Sequence, residues 1–114
     1  SFGDAETLRY VFPMSPTTPG LNSRQRQHLR GLAHALEPVV HVGHGGVSDA
    51  VVRSVDEALL AHELIKVRLH EPEDKRGDAH RLADAAGAAL CGLVGHTIIL
   101  YRAHPEHPRI AVDP

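Results

Sequence analysis

Apolar residues return every three to four positions in two stretches of this chain and every second position in another, and these periods lay out most of its elements. Leu29, Leu32, Ala33 and Leu36 recur at helical spacing, Asn22 or Ser23 can cap the start, and Pro38 closes the segment. A β-branched run at residues 39–42 predicts a strand that stops at Gly43, Gly45 and Gly46. Ser48 then offers an N-cap to a second helix with Val51, Val52, Val55, Ala58 and Leu59 on one face and Asp49 in the first turn. Residues 64–69 set Ile65, Val67 and Leu69 against Lys66 and Arg68, the period of a strand with one wet face. After a charged turn at 71–77, the alanine-rich residues 78–90 predict a third helix that Gly87 weakens near its end. Residues 93–94 and 97–102, separated by Gly95 and His96, predict a closing hairpin. The order is α-β-α-β-α-β-β. It predicts an α/β fold with parallel neighbours joined by right-handed crossovers and one antiparallel pair.

The ends lie outside this rhythm. Residues 1–20 finish in Ser15, Pro16, Thr17, Thr18, Pro19 and Gly20, which predicts a flexible lead-in, and Met14 within it raises the reading that residues 1–13 are not native. Three prolines among residues 104–114 predict a surface tail, with residues 109–112 pairing at a sheet edge. One domain is expected over residues 21–104, as a monomer.

Composition narrows the class. At 114 residues and 42% hydrophobic content, one unaided core is feasible. Cys91 is the only cysteine, which leaves no disulfide framework or Cys-rich zinc site and points to a reducing, cytoplasmic setting. No apolar run reaches the roughly 20 residues of a membrane span, so no membrane partner is expected. A net charge of −2 argues against coating nucleic acid by bulk attraction, so any such contact must be local.

Two features supply local chemistry. The Gly43-His44-Gly45-Gly46 loop leaves backbone open to a bulky anion, and a helix starting at Ser48 aims unpaired amides at the same point. Arg24, Gln27, Arg30 and His34 share the predicted outer face of the first helix, with Arg26 on its flank and no acid between Leu21 and Leu36. Ten histidines invite a metal reading, but none stand at coordination spacing with carboxylates. Ser48 lacks a nucleophile elbow and Cys91 sits in a small apolar stretch. Neither a metal, a cofactor nor an enzymatic activity is expected.

Four motifs in order carry a family resemblance: residues 21–34, the loop segment 38–46, residues 62–68 and the closing run 94–102. Together they resemble the CRM domain, the chloroplast RNA splicing and ribosome maturation module, in its bacterial single-domain YhbY-type form. The resemblance implies a four-stranded mixed sheet packed with helices, like the C-terminal domain of a bacterial translation initiation factor. It also implies RNA binding and association with precursors of the large ribosomal subunit. Gly43, His44, Gly45 and Gly46 match the family's Gly-x-x-Gly loop, Arg24, Arg26 and Arg30 its basic first helix, and Lys66 and Arg68 a basic strand. With aromatic content of 4%, base stacking is unsupported, and phosphate contact is the expectation. The alternative is a protein-interaction module that docks a ribosomal protein or assembly GTPase with little RNA affinity of its own.

Overall fold

The computed structural model describes residues 20–113. It contains α1 (Ser23–Ala33), β1 (Pro38–Val42), α2 (Asp49–His62), β2 (Leu64–Leu69), α3 (Lys75–Ala86), β3 (Ala89–Val94) and β4 (Thr97–Tyr101). The expected lead-in and the reading of Met14 fall on residues 1–19, outside the described residues.

The strands lie in the order β1-β2-β4-β3. β1 and β2 are parallel, while β4 is antiparallel to both its neighbours. The β3–β4 hairpin is thus threaded so that its second strand fills the space between β2 and β3. The expected mixed α/β sheet is what forms.

Alternation along each strand gives the sheet two unlike faces. Val40, Val42, Ile65, Val67, Leu69, Ile98 and Leu100 meet Val55 and Leu59 of α2 and Ala79, Leu82 and Ala83 of α3. On the other face, among the described residues, Leu64, Ile99, Tyr101, Ala89 and Cys91 meet Leu29 and Ala33 of α1, Leu21 just before it and the apolar side chains of the C-terminal segment. One helix cannot cover that face. Its β1 side and the strand ends near residue 42 stay open, and there Lys66 and Arg68 stand on β2.

Capping sets the helix limits. Asn22 is the N-cap of α1, accepting from the Gln25 amide while the Gln25 side chain accepts from Asn22, a reciprocal capping box. Ser48 caps α2 through the Val51 amide, as its position suggested. The third helix differs from expectation at both ends. Asp74 accepts from the Gly77 amide and starts α3 three residues before Asp78, and Gly87 at φ 64° stops it at Ala86. Only a residue at ease in the left-handed region ends a helix this way, and residues 89–90 thereby pass to β3.

The C-terminal segment does not pair at an edge. Residues 109–112 form no strand. Glu63, fully buried at φ 66°, takes the amides of His104 (2.7 Å), Arg109 (2.9 Å) and Ile110 (3.0 Å) on its carboxylate. Ile110 and Val112 then pack beside the α1 cluster, so the segment is strapped to the domain instead of trailing from it.

Candidate nucleic-acid interface

The glycine loop leaves β1 at the end of the sheet where β2 also finishes. The His70 amide donates to Val42 O (2.9 Å) and the Leu69 amide to His96 O (2.8 Å), which ties the loop region, the exit from β2 and the β3–β4 turn together. Gly46 sits at φ 69° and its amide donates to Gly43 O at 3.0 Å, closing a tight turn. The Gly46 amide is therefore occupied. No backbone acceptor among the described residues takes the amides of His44 or Gly45, and a Cβ at Gly43, Gly45 or Gly46 would meet nothing within 4 Å. A large ligand can reach this backbone.

One side of the loop is unsuited to anions. A cavity of about 260 Å³ beside it is walled by Glu71, Glu73, Asp74 and Asp78. Glu71 holds His44 Nε2 at 3.0 Å, and Arg81 holds Asp78 at 2.6 Å and Asp74 at 3.9 Å. Carboxylates outnumber cations there, so only the loop's outer rim can meet a phosphate.

The opposite balance prevails between α1 and the open sheet. A groove of about 820 Å³ runs there, with Gln27, Arg30 and His34 on one wall and Lys66, Thr97 and Ile99 on the other, and its lining holds no carboxylate. Arg30, exposed as the helix period predicts, also reaches across to β3 and donates to Cys91 O at 2.7 Å. Gly92 makes the crossing possible, because a Cβ there would lie 2.6 Å from Arg30 Cδ. Lys66 donates to Leu36 O (3.0 Å) and His34 O (3.4 Å), capping the carbonyl end of the α1 segment. Both cations are tethered to carbonyls, which orients them and leaves their charge uncancelled.

A family model for the CRS1 / YhbY (CRM) domain matches residues 21–102. The chain belongs to this family. It is 39% identical over 92 residues to YqeI of Bacillus subtilis, named a "Probable RNA-binding protein", an overlap of 79% of this chain and 96% of that one. An RNA-binding protein of Haemophilus influenzae is 38% identical over 88 residues, covering 75% and 89%. Among solved structures, the SAV1595 protein of Staphylococcus aureus, put forward as RNA-binding, superposes with a TM-score of 0.66 at 33% identity over 72% of this chain and 88% of that one. These relatives are named for RNA binding, and none of them as an enzyme.

Within this CRM domain the residues singled out from sequence fall into three groups. Arg30 and Lys66 share the groove, and Arg68 stands exposed one alternation further along β2. The loop lies past the ends of those strands. Arg24 and Arg26 line no part of the groove; they stand at the start of α1, where Arg26 donates to Leu21 O (2.6 Å) and Gln25 to Asp113 (2.8 Å). Among the described residues none of these five cations is paired with a carboxylate. No sequence period marks His41 and His70, whose rings stack on the strand pair where Arg68 is the partner of His41, or Glu63 as members of a site. The first two are legible only as a cross-strand neighbourhood. Glu63 carried no periodic signal at all.

The remaining chemistry of the CRM domain is quiet. Cys91 is buried, and burial pushes its thiol up to about 11 in spite of Arg30 and Arg26 nearby. Among the described residues no three His, Cys, Asp or Glu side chains gather to hold a metal, and no helix is long and apolar enough to cross a membrane.

Proposed function

We propose that this CRM domain binds RNA by its phosphate backbone and assists assembly of the large ribosomal subunit. The observation that carries the reading is the carboxylate-free groove between α1 and the sheet, in a chain whose net charge is −2. Positive charge left unpaired on one face of an acidic protein attracts a polyanion locally without attracting it everywhere. Arg30 and Lys66 in the groove, Arg68 on the open strand and the amides of His44 and Gly45 suit phosphate oxygens. Gly43 and Gly46 shape the loop, and Arg24 and Arg26 add longer-range attraction from the start of α1. Such contacts give position and not sequence. With roughly three to five phosphates neutralised, affinity should fall several-fold to hundreds-fold as salt rises across the physiological range. The ribosomal step rests on the likeness to bacterial family members and not on the groove; the names of the relatives support RNA binding alone.

The test is sedimentation of the tagged protein from a cell lysate through a low-salt sucrose gradient. Co-migration with large-subunit precursors that RNase abolishes, and that Arg68→Ala weakens, supports the reading. Residence at the top of the gradient overturns it.

A second reading, docking of a ribosomal protein or GTPase, has its own observation. Leu32, Leu36 and Val39 remain 44%, 38% and 49% exposed and, with Leu64, Ile65 and Ile110, line an apolar groove of about 490 Å³ at the end of α1. Co-migration that survives RNase would favour it.

A further inference from the structure

His41 on β1 and His70 just beyond β2 face each other on the open side of the sheet, with His41 Nδ1 and His70 Nε2 2.9 Å apart and the rings stacked at 5.1 Å. Both are exposed, and Arg68 is the cross-strand neighbour of His41. We propose that these two histidines and Arg68 form a phosphate-binding subsite that takes up one proton when RNA binds. The inference rests on the RNA-binding reading above and adds to it a residue set and a proton.

The number of ring hydrogens decides what the pair can offer a ligand. The internal contact needs one nitrogen as donor and the other as acceptor, whichever way it runs. In the neutral pair each ring carries one N–H. The ring that donates inward therefore has a bare outward nitrogen, and the ring that accepts inward has an outward N–H. A neutral pair thus shows solvent one donor and one lone pair, and the lone pair repels a phosphate oxygen. One added proton from solvent occupies that lone pair. The internal hydrogen bond survives, both outward nitrogens become donors, and the pair gains a single positive charge. A second proton would set donor against donor and break the contact, so the pair operates as a one-proton unit.

The groups around the pair are mostly cationic or neutral. On β2 stand Arg68 and, further along, Lys66, and β4 offers neutral Thr97 opposite Arg68. His44 and Glu71 lie in the adjoining loops and are already paired with each other at 3.0 Å. His96 in the β3–β4 turn and His34 on α1 bring no negative charge, and Glu73 stands beyond Glu71 on the acidic cavity. A phosphate supplies the negative charge that Arg68 and the protonated pair share. Imidazole is the side chain that changes charge between about pH 5 and 8, which sets the range over which the proposal is tested.

The test uses oligouridylate labelled with tetramethylrhodamine, in which neither bases, phosphodiesters nor dye take up protons in this range, and reads affinity by anisotropy from pH 5.5 to 8.0 at constant ionic strength. Wild-type affinity should strengthen on acidification, approaching tenfold per pH unit where the pair titrates. His41→Gln and His70→Gln should each flatten that dependence and bring acid-side affinity down toward the alkaline value, which itself stays within about twofold. His44→Gln should leave most of the dependence in place. A dependence unchanged in His41→Gln and His70→Gln, with binding retained, overturns the subsite alone. No binding by the wild type at any pH overturns the subsite together with the RNA reading.

Discussion

Replacing Glu63 by Gln changes almost no volume, so its cost is polar. The carboxylate is fully buried and takes His104 N on Oε2 at 2.7 Å and Arg109 N and Ile110 N on Oε1 at 2.9 and 3.0 Å. A glutamine oxygen can keep two of these amides, but its NH₂ then faces the third N–H, donor against donor. An orphaned buried donor costs about 1–3 kcal/mol, and loss of the charge weakens the two bonds that remain, for a total of about 2–4 kcal/mol. At about 4–8 °C per kcal/mol for a domain of this size, Tm should fall by at least about 8 °C. The pH dependence gives a second readout. Burial pushes the Glu63 carboxyl up, but the three amides and the Arg109 cation outweigh it and hold it below its ordinary value of 4.5. Such a group contributes stability that is complete above the unfolded-state value and vanishes as pH falls through the folded one. The gap between wild type and Glu63→Gln should therefore be full near neutrality and narrow as pH falls below 4.5. Circular-dichroism melts across that range measure both effects. A melt within about 3 °C of wild type near neutrality, or a gap that does not narrow in acid, would refute the assignment of the strap to this carboxylate.

Other positions give independent checks. Arg24→Ala and Arg68→Ala remove exposed side chains and should each lower the slope of log affinity against log salt by about one, read by filter binding, with the melt unmoved. Gly45→Asp meets no neighbour within 4 Å and should fold normally while binding RNA more weakly, whereas Gly46→Ala, at φ 69°, should also cost roughly 1 kcal/mol of stability. Unchanged affinity in folded Gly45→Asp would remove the loop from the interface. Leu59→Ala, at 0% exposure between the sheet and α3, should destabilise by about 2–4 kcal/mol in urea titration. Cys91, its thiol raised to about 11, should resist alkylation at mild alkaline pH until denaturant exposes it; fast labelling of the folded protein would contradict its burial.

Element order and most burial were legible in the chain because they rest on short-range periods. The alternation of Ile65, Val67 and Leu69 against Lys66 and Arg68 gave β2 its two faces, and Val55 and Leu59 at helical spacing gave α2 its buried side. Ser48 and Asn22 marked helix starts for the local reason that a side-chain oxygen is needed there. The end of α3 was harder. Alanine favours a helix through residue 90, and what stops it is the left-handed Gly87, combined with the pairing of Ala89 with Tyr101 and of Leu90 with Leu100 on β4.

Site chemistry divided along the same line. The sequence by itself determined the α/β order, the glycine loop, the basic residues of α1 and β2, and the resemblance to the CRM family, since each depends on neighbours in the chain. Tertiary structure alone decided which of those charges meet. Helix periodicity placed Arg30 outside, where it is exposed, but packing laid its side chain against Gly92 and left Leu32 and Leu36 exposed beside Val39. Lys66 proved to cap a helix thirty residues away, Glu63 to hold a strap more than forty residues ahead, and His41 to face His70 across two strands. Hydrogen bonds and charge pairs act over a few ångströms, and only packing brings residues so distant in sequence within that range.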